Sequence, residues 1–386
     1  MKLKNILRSL IIIIIIISSL ASVTKAFYNA QKLSFDFHLS PTKLVADGIN
    51  HYRYILDGKH DDSPNDVIKY DQNGIYAQGM FVILIPFTFL DWENAKLIWS
   101  LFNIFISILI CLILCKKFKI NKINTLFILS IFLTSTVYRI HIAYGQQTLL
   151  MFLFLILPFI RMNYINITLS GIAFFKYNIG YGLFLFFLAS KKIKYLILSS
   201  IPLVIGWLTY CFITETNIVV NLFEPLKVIM YWNNDDSHFP VTIFSLLKLL
   251  NFNSYIILII PLLITFFIVK KISKDEDDLK KLSIICLCIL GFAPHQLHDY
   301  VILLPLLIYS IKNLKEIVSI LNLIVIFYFF YFLRVISFFY DFEPWVIPYG
   351  FSGYLNNLII IVILFVNLIN LKHIKNRFKK KSYSIN

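Results

Sequence analysis

The sequence predicts an all-α polytopic membrane protein, a bundle of about twelve transmembrane helices with a long outer first loop and one re-entrant or interfacial segment. Three observations predict it. The chain is 59% apolar with a mean hydropathy of +0.76, too apolar for a soluble globule of 386 residues. Apolar runs of roughly 18 residues or more recur along it, and a helix of that length crosses the hydrocarbon layer with its backbone satisfied internally. Basic residues gather in short connectors and leave the other connectors acidic.

The elements follow in order. The first span covers about 6–26, where Lys2, Lys4 and Arg8 precede seven consecutive isoleucines at 11–17. A signal peptide ending at Ala26 has the same pattern, but nothing later reads as a secreted domain, so a retained signal anchor is expected. Residues 27–75 form the first outer loop. The stretch 79–90 is short, holds Pro86 and ends at Asp91-Trp92-Glu93. If it crossed the membrane, every later basic connector would lie outside, so it reads as re-entrant or interfacial. Further spans fall near 95–115, 123–138, 146–161, 164–176, 178–190, 195–213, 254–271, 282–293, 300–312, 317–340 and 355–371, followed by a basic tail at 372–386. The chain reads as one integral membrane domain, 1–386, with no internal repeat of fixed period.

Charge orients this topology. The connectors around Lys2–Arg8, Lys116–Lys122, Arg161, Lys191–Lys194, Lys270–Lys281, Lys312–Glu316 and Lys372–Lys381 hold 24 Lys+Arg against 5 Asp+Glu, a net of +19. The remainder holds 12 against 16, a net of −4. This is the positive-inside pattern, so both termini are expected in the cytoplasm of a plasma (inner) membrane protein, and the total of +15 is no nucleic-acid footprint. All five cysteines lie in or beside apolar segments, which leaves no disulfide framework; Cys286-x-Cys288 reads as buried packing.

Candidate chemistry gathers at the outer ends of spans. Asp36, in Phe35-Asp36-Phe37-His38, is the acid nearest the membrane, about ten residues past the first span. Partial burial between phenylalanines at an interfacial depth would raise its pKa and suit it to general-base work. As a solvated loop acid it would do nothing of the kind. Asp47 is the second choice among the seven acids of this loop. Lys176 stands alone between two short helices; a snorkelling lysine is the ordinary explanation, but a lone outer cation also suits a lipid phosphate. His295, His298 and Asp299 sit between two further short spans and read either as a His–Asp pair holding a helix hairpin or as catalytic groups. Arg139, His141, Gln146 and Gln147 form another outer polar cluster suited to sugar hydroxyls or phosphate, with helix capping as the plainer account. His295-x-x-His298 has no convincing third zinc ligand, although Asp36 or His38 could approach it. No Walker loop, GxGxxG or GxSxG occurs.

These pieces come in a recognisable order: the outer Asp36; Ile83-Leu84-Ile85-Pro86; Ala95-Lys96-Leu97-Ile98-Trp99 with Asn103; Gly145-Gln146-Gln147; Gly171 to Lys176, then Lys191-Lys192-Ile193-Lys194; and Pro294 to His298-Asp299-Tyr300 and Pro305. Over roughly 27–310 the chain resembles glycosyltransferase family 87, within the GT-C superfamily of membrane enzymes that use polyprenyl-phosphate sugars. The resemblance implies inverting transfer of a hexose (mannose-like) from a polyprenyl-phosphate donor to a lipid or glycan acceptor on the outer face. Asp36 would be the general base, with His298 as a second catalytic candidate. Lys176, Arg139 and Asp299 would serve the donor phosphate, and Asp47, His141 and Gln146 the acceptor or sugar. A phosphate leaving group needs charge stabilisation and no general acid, so neither a metal nor another cofactor is expected. The partners expected are the lipid-linked donor, the acceptor and membrane lipids, with no nucleic acid. A transporter or flippase, a polymerase or ligase of lipid-linked saccharides, and a non-enzymatic scaffold are the competing classes. The first would place charges in mid-span and show repeat symmetry.

Overall fold

The structure, a computed structural model, describes residues 2–34, 36–58, 76–233, 254–332 and 351–369. All regular structure among the described residues is helical. Helix α1 (Lys2–Lys32) runs six residues past the expected end of the first span. Its last turns hold neither Pro nor Gly, so nothing stops the helix at the edge of the apolar run. Asp36 therefore lies four residues beyond a helix end. The first loop is partly folded into α2 (Leu39–Ala46) and α3 (His51–Leu56), the latter capped by the Asn50 side chain on the Tyr52 and Arg53 amides. Phe35 and the loop acids Asp61, Asp62, Asp66 and Asp71 lie outside the described residues.

Next comes α4 (Gln78–Leu84), which passes directly into a 3-10 turn, Ile85–Phe89, holding Pro86. At 1.5 Å per residue this pair spans ~18 Å, short of the ~30 Å hydrocarbon layer. Helix α5 (Trp92–Lys117) is capped by Asp91, as is α6 (Lys122–Thr134) by Asn121. The expected straight span 123–138 is instead broken. Ser135 is extended, its hydroxyl caps α7 (Thr136–Tyr144) on the Tyr138 amide, and α7 leaves α6 at 58°. The chain continues through α8 (Thr148–Ile160), α9 (Tyr164–Ser170) with a 3-10 turn Gly171–Phe175, α10 (Tyr177–Ala189), α11 (Ile193–Ile213) and α12 (Ile218–Asn233). The last elements are α13 (Ser254–Ile272), α14 (Asp278–Phe292), a 3-10 turn Leu297–Leu303 leading into α15 (Leu304–Lys312), α16 (Ile317–Phe327) with a π-turn Tyr328–Phe332, and α17 (Phe351–Leu368).

The protein is membrane-embedded by composition and length. Among the described residues, Ser9–Lys32, α5 and α11 are each long and apolar enough to cross, and the bent pair α6–α7 makes a fourth. Exposed leucines, isoleucines and phenylalanines line their outer faces, among them Ile14, Leu20, Phe105, Ile197 and Phe212. In water such surfaces would associate; in hydrocarbon they meet their own kind. The inner faces pack α1 on α5, α6 and α7, and α14 on α15 and α17, around one continuous core.

Two glycines let α11 lie directly on the elements that carry the polar site. A Cβ on Gly206 would come within 2.5 Å of Gly79 Cα in α4, and one on Gly171 within 1.7 Å of the Ser199 carbonyl oxygen. Ser199 O belongs to a helix backbone that cannot rotate aside. Gly171→Ala should therefore force α11 off the turn that precedes Lys176, at a cost of about 1–3 kcal/mol or more. A lower melting temperature of the detergent-purified variant is expected, and an unchanged one would mean that α11 has room to shift.

Candidate functional site

The site is built where the end of α1 is laced to the end of α7. Helix α7 stops at Gly145, whose φ of 70° is the left-handed conformation that a helix C-terminus commonly needs. The last carbonyls of α7, just before that turn, accept from the segment after α1: Ser34 N donates to Ala143 O and Asp36 N to Tyr144 O, both at 2.9 Å. Phe37 is fully buried in the protein. It stacks on Trp99 at 5.0 Å and meets Phe87 edge-on, while Trp99 Nε1 donates to Gly145 O at 2.7 Å. Asp36 is thus held by backbone on one side and by an aromatic anchor on the next residue.

Both glutamines after Gly145 turn back to Asp36. Gln146 Nε2 donates to the Asp36 carboxylate, and Gln147 Nε2 donates to the Asp36 carbonyl at 2.7 Å. The other end of Gln146, Oε1, receives Lys176 Nζ at 3.4 Å. Lys176 is the residue before α10. Its ammonium also donates to Thr148 Oγ1 at 2.6 Å and Asp299 Oδ1 at 2.8 Å, and it lies 5.7 Å from the Tyr76 ring centroid. A lysine at a helix N-terminus opposes the macrodipole, and this one is only 4% exposed, so it needs the carboxylate. Asp299, 2% exposed, sits in the first turn of Leu297–Leu303, where a negative charge is favoured; its Oδ2 accepts from Gln296 N, and Thr148 donates to its Oδ1.

The electrostatics follow from these contacts. Burial alone would raise the Asp299 carboxyl. The Lys176 ammonium beside it and the hydrogen bonds from Lys176 and Thr148 outweigh burial and hold it well below the usual range. Asp36, partly exposed, goes the other way. Burial raises it to about 6, tempered by the Gln146 hydrogen bond and the more distant Lys176, and pushed further by the like charge of Asp299. His38 and His298 are each lowered to about 3, first by burial, so both are neutral at physiological pH. The His298 ring stands 3.7 Å from Asp299, and His141 lies against His298 with ring centroids 6.3 Å apart.

Of the residues singled out from sequence, Asp36, Gln146, Lys176 and Asp299 form one connected cluster, with His298 and His141 beside it. Asp47 and Arg139 keep other company. Asp47 is the exposed C-cap of α2, its amide donating to Lys43 O and that of Gly48 to Val45 O. Arg139 donates to Thr136 Oγ1 at 3.2 Å and lies near Tyr331. His295 is satisfied between Ala293 O and Tyr300 Oη. Sequence reasoning missed Thr148, Tyr76 and Asn178, which donates to Pro294 O at 2.8 Å and faces Asp299 at 3.4 Å. A threonine or asparagine opening a helix is indistinguishable from an ordinary cap, so no local signal marks these residues. Among the described residues no three His, Cys, Asp or Glu side chains are grouped to hold a metal ion. No protein-family model, curated protein or solved structure matches the chain.

A buried pair such as Lys176–Asp299 is expected to show its dependence when halved. Lys176→Met leaves the buried Asp299 charged and without its counter-ion and should cost about 3–5 kcal/mol. Adding Asp299→Asn should restore much of that loss, because the orphaned charge is gone. Thermal melts of the two single variants and the double variant close the cycle; additive losses would mean that the pair contributes no mutual stabilisation.

Proposed function

We propose that the chain is a membrane glycosyltransferase of the GT-C type. It transfers a hexose from a polyprenyl-phosphate donor to a hydroxyl of a lipid or glycan acceptor, with inversion. The observation that carries this reading is the single Gln146 amide that joins a half-buried carboxylate at one end to a buried ammonium at the other. Inverting transfer from a lipid phosphate needs those two functions and little else: one base for the acceptor and one positive group near the departing phosphate. Among the described residues of this cluster no second free carboxylate stands by as a general acid, since Asp299 is committed to Lys176. That suits a leaving group that departs as an anion.

In this mechanism Asp36 takes the proton from the acceptor hydroxyl. The acceptor oxygen forms its bond to the anomeric carbon as the anomeric carbon–oxygen bond to phosphate breaks, and the electron pair leaves on polyprenyl phosphate. Lys176 makes its longest contact to Gln146, and exchanging that contact for a phosphate oxygen would bring the ammonium to the developing charge without breaking the pair with Asp299. His298, neutral beside Asp299, is a further hydrogen-bond donor to the same phosphate.

The test is transfer of radiolabelled hexose from a panel of polyprenyl-phosphate sugars into extracted membrane lipids and glycans by the purified protein. Asp36→Asn should keep the fold and lower turnover by roughly 10²–10⁴-fold. The base must be ionised in the free enzyme, so kcat/KM should fall as pH drops through about 6 and level off above it. Normal turnover in Asp36→Asn would remove Asp36 from the chemistry. A saturable flux of lipid across proteoliposomes, without any transfer, would favour a flippase instead.

We further propose twelve crossings, with 79–90 not among them, both termini in the cytoplasm, and the Asp36 cluster on the outer side of the plasma (inner) membrane. The support is the split of +19 against −4 between the two sets of connectors. In a background without cysteine, a membrane-impermeant maleimide added to whole cells should label Asp47→Cys and Glu215→Cys but neither Lys119→Cys nor Glu276→Cys. Labelling at 119 would invert the topology and make 79–90 a crossing.

A further inference from the structure

Two buried polar atoms beside Asp36 have no partner among the described residues. One is Nδ1 of His38, a side chain 4% exposed; the other is Oε1 of Gln147, fully buried. Both side chains are tied to Asp36 by position. Gln147 holds the Asp36 carbonyl, and His38 follows two residues later. The orientation of the Gln147 amide is forced, because turning it over would set its oxygen against the Asp36 carbonyl oxygen. An unpaired buried polar atom forfeits its hydration without recompense, and native interiors rarely leave one.

The backbone at His38 carries a second cost. Its φ of 56° lies in the left-handed region, which is uncommon for residues other than glycine although histidine, asparagine and aspartate enter it more readily than most, and no side-chain cap bond rewards it there. What that conformation does is direct the imidazole edge-on to Tyr76, at 4.7 Å between ring centroids, next to the cluster that holds Lys176. Strain together with an unmade hydrogen bond at one buried residue is the pattern of a ligand-holding position.

We propose that His38 and Gln147 form a hydroxyl-binding subsite flanking Asp36, which takes two hydroxyl groups of an uncharged polyol, a sugar. The donor and acceptor chemistry selects that class. Gln147 Oε1 can only accept, so its partner must carry an O–H or N–H, which a phosphate oxygen at neutral pH lacks. The His38 imidazole, neutral at physiological pH, can offer either a donor or an acceptor, as a hydroxyl can. The subsite therefore faces the hydroxylated end of a substrate, with the anionic end toward Lys176. Resting on the glycosyltransferase reading, it makes the acceptor a polyol whose reacting hydroxyl has neighbours, and it disfavours a monohydric lipid alcohol.

The test uses His38→Phe, which keeps a ring against Tyr76 and removes both nitrogens, and His38→Asn, which suits the left-handed backbone and keeps polar atoms. With a polyprenyl-phosphate hexose as donor, wild type should transfer to methyl hexosides far better than to dodecanol. His38→Phe should raise the methyl hexoside KM by about tenfold or more, the loss expected from one hydrogen bond, while leaving the donor KM unchanged. His38→Asn should lie between the two, at a melting temperature no lower than wild type. Equal use of dodecanol by wild type, or an unchanged methyl hexoside KM in His38→Phe, would overturn the subsite. A separate arm needs no turnover: methyl hexosides alone should raise the wild-type melting temperature saturably, and the rise should vanish in His38→Phe. If no donor supports transfer, glycosyl transfer falls and this arm decides the subsite alone; its absence in wild type overturns the proposal.

Discussion

The buried ion pair between Lys176 and Asp299 is the constraint around which the polar interior of this protein is arranged. It joins the start of α10 to the 3-10 turn before α15, and Thr148 at the start of α8 bonds both partners. Three chain segments remote in sequence therefore meet at one point. An unpaired charge at either position would have to be carried into an apolar surround at several kcal/mol. The pair need not add net stability over a well-packed apolar substitute. What it does in this structure is tie the starts of α8 and α10 to the turn before α15 at one point.

Asp36 takes its character from that pair without joining it. The Gln146 amide reaches the carboxylate with its donor and the ammonium with its acceptor, so Lys176 is shared mostly with Asp299 and acts on Asp36 from a distance. The result is two carboxylates of opposite behaviour in one cluster. Asp299 is held ionised by direct contact, and Asp36 is lifted into the range of a working base by burial and by its neighbour's charge. The histidines His38 and His298 around them are neutral, first because burial penalises the charged ring and then because a second positive charge beside Lys176 would be repelled.

A second buried network makes an instructive contrast. Glu224 of α12 receives Arg53 Nε at 2.8 Å and the amides of Asn50 and Asn221, each at 2.7 Å, and Tyr210 Oη bonds Asn50 in turn. Glu224 is satisfied by three donors, and the arrangement reads as a latch between α3, α11 and α12. Near Asp36 the polar groups are less complete: among the described residues His38 Nδ1 and Gln147 Oε1 have no partner, and the His38 backbone is left-handed.

How much was legible beforehand depends on whether the physics is local. Hydropathy and charge along the chain determine that this is a helical membrane protein, because each crossing helix must satisfy its own backbone and each connector carries its own charge. Composition likewise exposes Asp36, Lys176 and Asp299, since an isolated charge in an apolar run is conspicuous for what it costs. The break at Ser135, the folding of the first loop into α2 and α3, the separation of Asp47 from the cluster and the company Arg139 keeps are tertiary decisions. So is the meeting of Lys176 with Asp299 across 123 residues, with Thr148 between them. A hydroxyl, an amide or an extended serine looks the same in sequence whether it caps a helix or completes a site. Only the packing of helices distant in the chain says which it does.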